Sequence, residues 1–160
     1  MQESDIKDLS RGFTSQGWPG REEILTRYFK EQESGEREVL VADFEGVVAG
    51  YITILQIAKQ GPFAEIYPEL SDFNVFDPFQ NQGIGNLLME EAENRVKLFS
   101  DKVTLGVGLH SGYGPAQRLY IKRGYIPDGT GVWYRNQPLK MNATIQNNDD
   151  LVLYLSKELE

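Results

Sequence analysis

Gln80-Asn81-Gln82-Gly83-Ile84-Gly85 is the stretch that decides the reading of this chain. Upstream of it, Glu69 to Val75 has strand character and runs into Phe76-Asp77-Pro78, where proline ends a strand. Downstream, Ile84, Leu88, Ala92 and Val96 recur at steps of four with Leu87 alongside. That spacing predicts an amphipathic helix with Glu90, Glu93, Asn94 and Lys97 facing away from the core. A turn with two glycines that opens a helix presents amide N–H groups lacking intrahelical acceptors, at the positive end of the helix dipole. Such a turn is a cradle for phosphate or diphosphate, and glycine at 83 and 85 keeps side chains out of the approach. The competing reading is an ordinary tight strand-to-helix turn. There is no GxxxxGK[ST], and a dinucleotide GxGxxG would need glycine at 88, where Leu88 stands.

Working outward, residues 5–33 read as two helices. The first opens with Asp5-Ile6-Lys7-Asp8-Leu9, and Gly17-Trp18-Pro19-Gly20 interrupts the chain. From Arg21 to Glu33, Ile24, Leu25, Tyr28 and Phe29 share one apolar helix face. Residues 39–44 and 47–55 flank a Glu45-Gly46 turn and predict a β-hairpin. Beyond the central helix, Val103 to Leu109 reads as a strand whose Gly106 and Gly108 mark close backbone approach or a bulge. A short helix follows from Pro115 to Lys122, with Gly124 past its end. Gly131-Val132-Trp133-Tyr134 begins another strand, and Leu151 to Leu155 a last one after a polar loop. The order predicts one mixed-sheet α/β domain over residues 1–160.

The composition narrows the function. The chain has 160 residues, 16 Lys+Arg against 24 Asp+Glu, one histidine and no cysteine. A thiol nucleophile, a disulfide scaffold and thiolate metal sites are excluded, and one imidazole leaves little from which to build a metal site. A net charge of −8 disfavours nucleic-acid binding, which runs on phosphate neutralisation by basic patches. No secretory leader and no run of 18 apolar residues is present, which predicts a cytoplasmic protein without a membrane partner.

A second motif lies at Ala116-x-x-Leu119-Tyr120-x-x-x-Gly124-Tyr125. Taken in order with Val75-x-x-x-x-Gln80-x-x-Gly83-x-Gly85, it resembles the GNAT superfamily of N-acetyltransferases, most closely over residues 36–126. The first motif matches the family's Q/R-x-x-G-x-G/A diphosphate turn and the second its A-x-x-L-Y-x-x-x-G-F/Y helix. The resemblance implies a mixed, mostly antiparallel central sheet flanked by helices. Since the chain starts at the first helix, the usual N-terminal strand is expected to be short or missing.

The resemblance further implies acetyl-CoA as co-substrate, with no metal. Its diphosphate would lie on Gln80, Asn81, Gln82, Gly83, Ile84 and Gly85, and its pantetheine arm along Phe73, Asn74 and Val75, with Tyr113 and Arg123 as further cofactor contacts. Tyr120 falls on the family tyrosine that protonates the departing thiolate. Direct attack of an amine on the thioester passes through a tetrahedral oxyanion and needs no protein nucleophile. The amine must first be neutral; at a pKa of ~10.4 deprotonation costs about 4–5 kcal/mol at pH 7, so a carboxylate base is expected. Alignment from the Gln80 motif points to Glu69. Asp72 falls on the opposite strand face by simple alternation, and His110 is the alternative base.

For the acceptor, the family's variable parts here are Trp18, Asp128, Trp133 and Tyr134, aromatic and acidic groups suited to a cationic amine of a small molecule or a protein. Sheet-edge strands are compatible with a homodimer. Two departures from the family pattern stand out. Asn81 replaces a common glycine, which a negative φ would accommodate, and Tyr113 replaces an asparagine. Two other functions share the same turn: a non-catalytic acyl-CoA-binding module, and a generic binder of phosphometabolites.

Overall fold

The computed structural model describes residues 1–160. Helices α1 (Asp5–Ser15) and α2 (Glu22–Glu33) open the chain. Strands β1 (Arg37–Phe44) and β2 (Val47–Leu55) form a hairpin on Glu45 and Gly46, whose φ values of 52° and 83° match the twist of the flanking strands. Next come β3 (Glu69–Val75), α3 (Ile84–Val96), β4 (Lys102–Gly108) and α4 (Gly114–Lys122). The chain ends with β5 (Ile126–Tyr134), the two-residue β6 (Gln137–Pro138) and β7 (Leu151–Glu158). β5 starts well ahead of its apolar run at Gly131. Its register with β7 breaks between Pro127 and Val132, where Gly129 and Gly131 take positive φ and form a bulge no hydrophobic pattern marks.

One seven-stranded sheet results, in the order β1-β2-β3-β4-β7-β5-β6. Every neighbouring pair is antiparallel except β3 and β4. The mostly antiparallel sheet flanked by helices is thus as expected, and no strand precedes α1. β1 is left as an edge. The Met1 amine donates to the Val39 carbonyl (2.7 Å), and the Gln32 side chain accepts the Val39 N–H (3.1 Å).

Helices α1 and α2 cover one face of β1–β3, where Leu9, Phe13, Leu25 and Tyr28 pack on Val39, Tyr51 and Phe76. Helices α3 and α4 cover the other face, where Leu88, Met89, Ala92, Val96 and Tyr120 meet Ile52, Ile54, Leu70, Val103 and Leu105. Each large side chain buried there contributes roughly 1.5–3 kcal/mol.

Two expectations for α3 fail. Leu87 is 64% exposed, turned off the apolar stripe. Glu93 is not solvated but 7% exposed, because Arg123, just past the end of α4, and Lys157 from β7 converge on it. The Arg123 fork reaches both Glu93 oxygens at 2.8 and 2.9 Å, Lys157 adds 2.7 Å, and the Tyr125 hydroxyl donates at 3.1 Å. Burial pushes the Glu93 carboxyl up, but the bonds from Arg123 and Lys157 outweigh it and hold it below the usual range. Glu93→Leu strands two half-buried cations and should destabilise the protein by about 3 kcal/mol at pH 7, read by urea unfolding. The wild-type advantage is present above pH ~4.5 and fades as pH falls through the depressed pKa.

Candidate active site

β3 and β4 are each seven residues long, yet they pair only at Glu69 with Thr104 and Leu70 with Leu105. Past Leu70 the two parallel strands separate and leave a wedge. A bulge in β3 accompanies the separation. Thr53 of β2 pairs with Ser71, but Tyr51, two residues on, pairs with Asn74, so β3 carries one extra residue. Asp72 absorbs it at φ 48°. The expected alternation therefore breaks: Asp72 lies on the same face as Glu69 and Ser71, not the opposite one. There it accepts both prongs of Arg21 at 2.8 Å, the Tyr28 hydroxyl at 2.9 Å and the Asn74 amide at 3.0 Å. Phe73 and Val75 are turned to the α3 side.

The turn after β3 has its own internal bracing. The Gln80 side-chain amide donates to the Val75 carbonyl (2.9 Å) and to Asp77 (3.1 Å), and that of Gln82 donates to the Pro78 carbonyl (3.0 Å). The Gln16 side chain, just past α1, accepts the Asp77 N–H at 2.6 Å. Asn81 has φ 59°, not the negative value expected for it; asparagine is among the few residues that tolerate this region. Gly83 has φ 84°. Left-handed Asn81 and Gly83 thus alternate with Gln82 and Ile84, whose φ is not positive, a geometry that turns successive N–H groups into one concavity. From Asn81 through Asn86 no backbone N–H donates to any protein acceptor, and the first turn of α3 carries no acidic side chain. Gly85 serves another purpose than clearing the approach. A Cβ there would stand 3.2 Å from the Phe73 ring, so glycine lets α3 pack down on β3.

Across the wedge, Tyr120 of α4 is 7% exposed and its ring lies 6.4 Å from that of Phe73. Its hydroxyl makes no hydrogen bond to the protein, and no fully enclosed side-chain polar atom lacks a partner. The hydroxyl is therefore not fully enclosed, on the side of the sheet that α3 and α4 cover. Burial, and secondarily Tyr113, push its pKa up, so the group is a proton donor at neutral pH.

Glu69 sits at the start of β3, on the face opposite α4. It is half-buried and makes no hydrogen bond. Burial pushes its pKa up to about 7, with Arg37 pulling weakly the other way. A carboxylate at about 7 is poised to exchange a proton near neutrality.

A GNAT-family acetyltransferase model matches residues 4–125. The chain belongs to the GNAT acetyltransferase family. No curated protein matches it in sequence. Among solved structures it is similar to a ribosomal-protein-alanine N-acetyltransferase from Brucella melitensis, with TM-score 0.72, 20% identity and 99% and 97% of the two chains covered. An acetyltransferase from Salmonella typhimurium, solved with its cofactor acetyl-CoA, gives 0.69 at 17% identity over 100% and 91%. A GNAT family acetyltransferase from Elizabethkingia anophelis with acetyl-CoA bound gives 0.61 at 21% identity over 87% and 84%. These likenesses carry the fold.

Several expected contacts of this GNAT protein are already committed elsewhere. Arg123 is locked in its fork with Glu93, with only a 3.4 Å reach to Asn86 of α3, so its charge supports the α3–α4 packing. The Tyr113 ring lies on Gly108, and its hydroxyl donates to Asp149 at 3.2 Å. His110 Nε2 also meets Asp149 at 2.7 Å, and Nδ1 accepts the Gly112 N–H at 3.1 Å, so both ring nitrogens are occupied. The Val75 carbonyl accepts from Gln80, and Phe73 has no register partner on β2 or β4.

On the acceptor side, Trp18 stands 64% exposed between α1 and α2. Asp128 accepts the Thr130 hydroxyl, which itself accepts the Trp133 indole N–H at 2.8 Å. Trp133 packs edge-on against Tyr154 of β7, ring centroids 5.7 Å apart. Tyr134, next in β5, points to the other face and is held by Asn148 and Arg135. The residues that sequence reasoning missed are Arg21, Tyr28 and Asp72, whose clustering depends on the bulge.

Glu69 ionises at about 7 in the folded protein and near 4.5 when unfolded, so its burial lowers stability progressively from pH 4.5 to 7 and by a constant amount above. Glu69→Gln should be about 2 kcal/mol more stable than wild type at pH 8 and no more stable at pH 4, read by chemical denaturation.

Proposed function

We propose that this GNAT-family protein transfers the acetyl group of acetyl-CoA directly to a primary amine of a small molecule or a protein. The observation that carries the reading is the run of unpaired amides from Asn81 through Asn86, with the Tyr120 hydroxyl not fully enclosed on the side of the sheet that α3 and α4 cover. Donors without acceptors at a helix N-terminus fit a diphosphate. Acetyl-CoA, held there, supplies an activated acyl group at a thioester. The chain supplies the rest. Phe73, without a register partner, offers backbone for the arm, Glu69 takes the proton of the amine, and Tyr120 gives its proton to the departing sulfur.

The arrangement of the two groups supports the direction of transfer. Tyr120 approaches from the α3–α4 side of the sheet and Glu69 lies on the α1–α2 side, so acid and base meet only through the gap between β3 and β4. An amine arriving beside Glu69 and a thiol leaving beside Tyr120 never cross paths. The raised pKa values suit the roles: the phenol stays protonated, and the carboxylate is half-ionised near pH 7.

Thiol release from acetyl-CoA across a panel of amines tests this. Tyr120→Phe is expected to lower kcat by about 100-fold while leaving the affinity for coenzyme A, measured by calorimetry, unchanged. In wild type kcat/KM should rise with pH through about 7 as Glu69 ionises, and Glu69→Gln should lose that limb. Coenzyme A binding without turnover on any amine would favour the acyl-CoA-binding module. Equal competition by nucleotides or sugar phosphates would favour the phosphometabolite binder.

A further inference from the structure

Tyr154 is a second tyrosine that is 7% exposed and whose hydroxyl has no partner in the protein. Its position follows from the register. Gly106 of β4 pairs with Tyr154, and Thr104, two residues earlier on the same face, pairs with Glu69 of β3. The Tyr154 ring leans from β7 over Gly106, where a Cβ would stand 3.2 Å from the ring. It thus spans β4 in the direction of β3. Its tip is covered by Gly61 of the β2–β3 loop, where a Cβ would lie 2.3 Å from the ring and 2.8 Å from the hydroxyl. The Gly61 N–H is itself tied to the Asn136 side chain at 2.7 Å, which fixes the loop over the ring. Glycine at both 61 and 106 is what admits the ring.

We propose that Tyr154 is a positioning residue of the acceptor site, its hydroxyl and the Glu69 carboxylate holding the acceptor nitrogen, or the water that stands in for it, between them. The inference rests on the acetyltransferase reading for its substrate but not for the pairing of the two groups. A primary amine has hydrogens enough to donate to both oxygens at once while its lone pair faces the thioester; a secondary amine has one fewer. The other groups around Glu69 are settled: Arg37 of β1 is its one charged neighbour, engaged by Glu31, Thr53 and Ser71, and the Thr104 hydroxyl donates to the Pro68 carbonyl. Asp72 is saturated by Arg21 and Tyr28. Burial, with a smaller contribution from the Glu69 charge, pushes the Tyr154 pKa up, so the phenol stays neutral and its oxygen accepts from the amine.

Tyr154→Phe keeps the ring and removes only the oxygen. For a primary amine its KM should rise about tenfold with coenzyme A affinity unchanged, and for the N-methyl analogue the rise should be smaller. Gly106→Ala, which displaces the ring but keeps the hydroxyl, should give the same KM effect. In the unliganded protein, where water stands between the two groups, carbon-13 titration of the Glu69 carboxyl should move upward in Tyr154→Phe, because the bridge from phenol through water that favours the ionised form is lost. An unchanged KM, or an unchanged Glu69 titration in a folded variant, overturns the proposal. If wild type turns over no amine, the acetyltransferase reading fails and the titration alone decides whether the two groups are paired.

Discussion

The forked ion pair between Arg21 and Asp72 underlies the geometry of the cleft. Asp72 occupies a left-handed backbone conformation that costs about 1–2 kcal/mol for a residue other than glycine. Hydrogen bonds to charged groups contribute about 1.5–3 kcal/mol each, and Asp72 accepts four, from Arg21, Tyr28 and Asn74, which offset that strain. The bulge so maintained has two consequences. It turns Phe73 and Val75 toward α3, where Gly85 receives them, and it coincides with the departure of β3 from β4. A regular strand would send those side chains to the other face and leave α3 without its seat.

Two glutamates, Glu93 buried and Glu69 half-buried, show how environment sets the charge of one side-chain type. Glu93 is surrounded by Arg123, Lys157 and Tyr125, stays ionised, and fastens α3 to α4 and β7. Glu69 has only the Arg37 guanidinium as a charged neighbour, already claimed by other groups, and its proton is held to about pH 7. The first keeps its charge because that charge is satisfied, and the second holds its proton because its charge is not, which suits the base role proposed for it. Neither role can be read from the residue type.

The sequence made the turn at residues 80–85, the hairpin and the α3 stripe legible because each depends on local chemistry: glycine at left-handed positions and apolar side chains at a four-residue spacing. The places of Tyr120 on α4 and of Glu69 at the start of β3 follow from the two motifs, while their roles belong to the proposed function. The rest depends on contacts between distant segments. Glu93 reads as a surface residue until Arg123 and Lys157 are brought to it. Asp72 alternates in a regular strand and changes face only when β2 imposes a register with one residue to spare. Arg123 stands in the right motif, yet its charge is used up by a neighbour that no local pattern reveals. Asn81 shows the same limit at the scale of one backbone angle.

The short connection between the first two helices touches both halves of the cleft. At its start Gln16 grips the turn of unpaired amides, through the Asp77 N–H; at its end Arg21 grips the bulge of β3. Trp18 stands between them, open to solvent. A molecule that draws Trp18 inward therefore pulls on both anchors together. Occupancy of either half would lower the entropic cost of ordering the other, a thermodynamic coupling that has the same size whichever ligand arrives first.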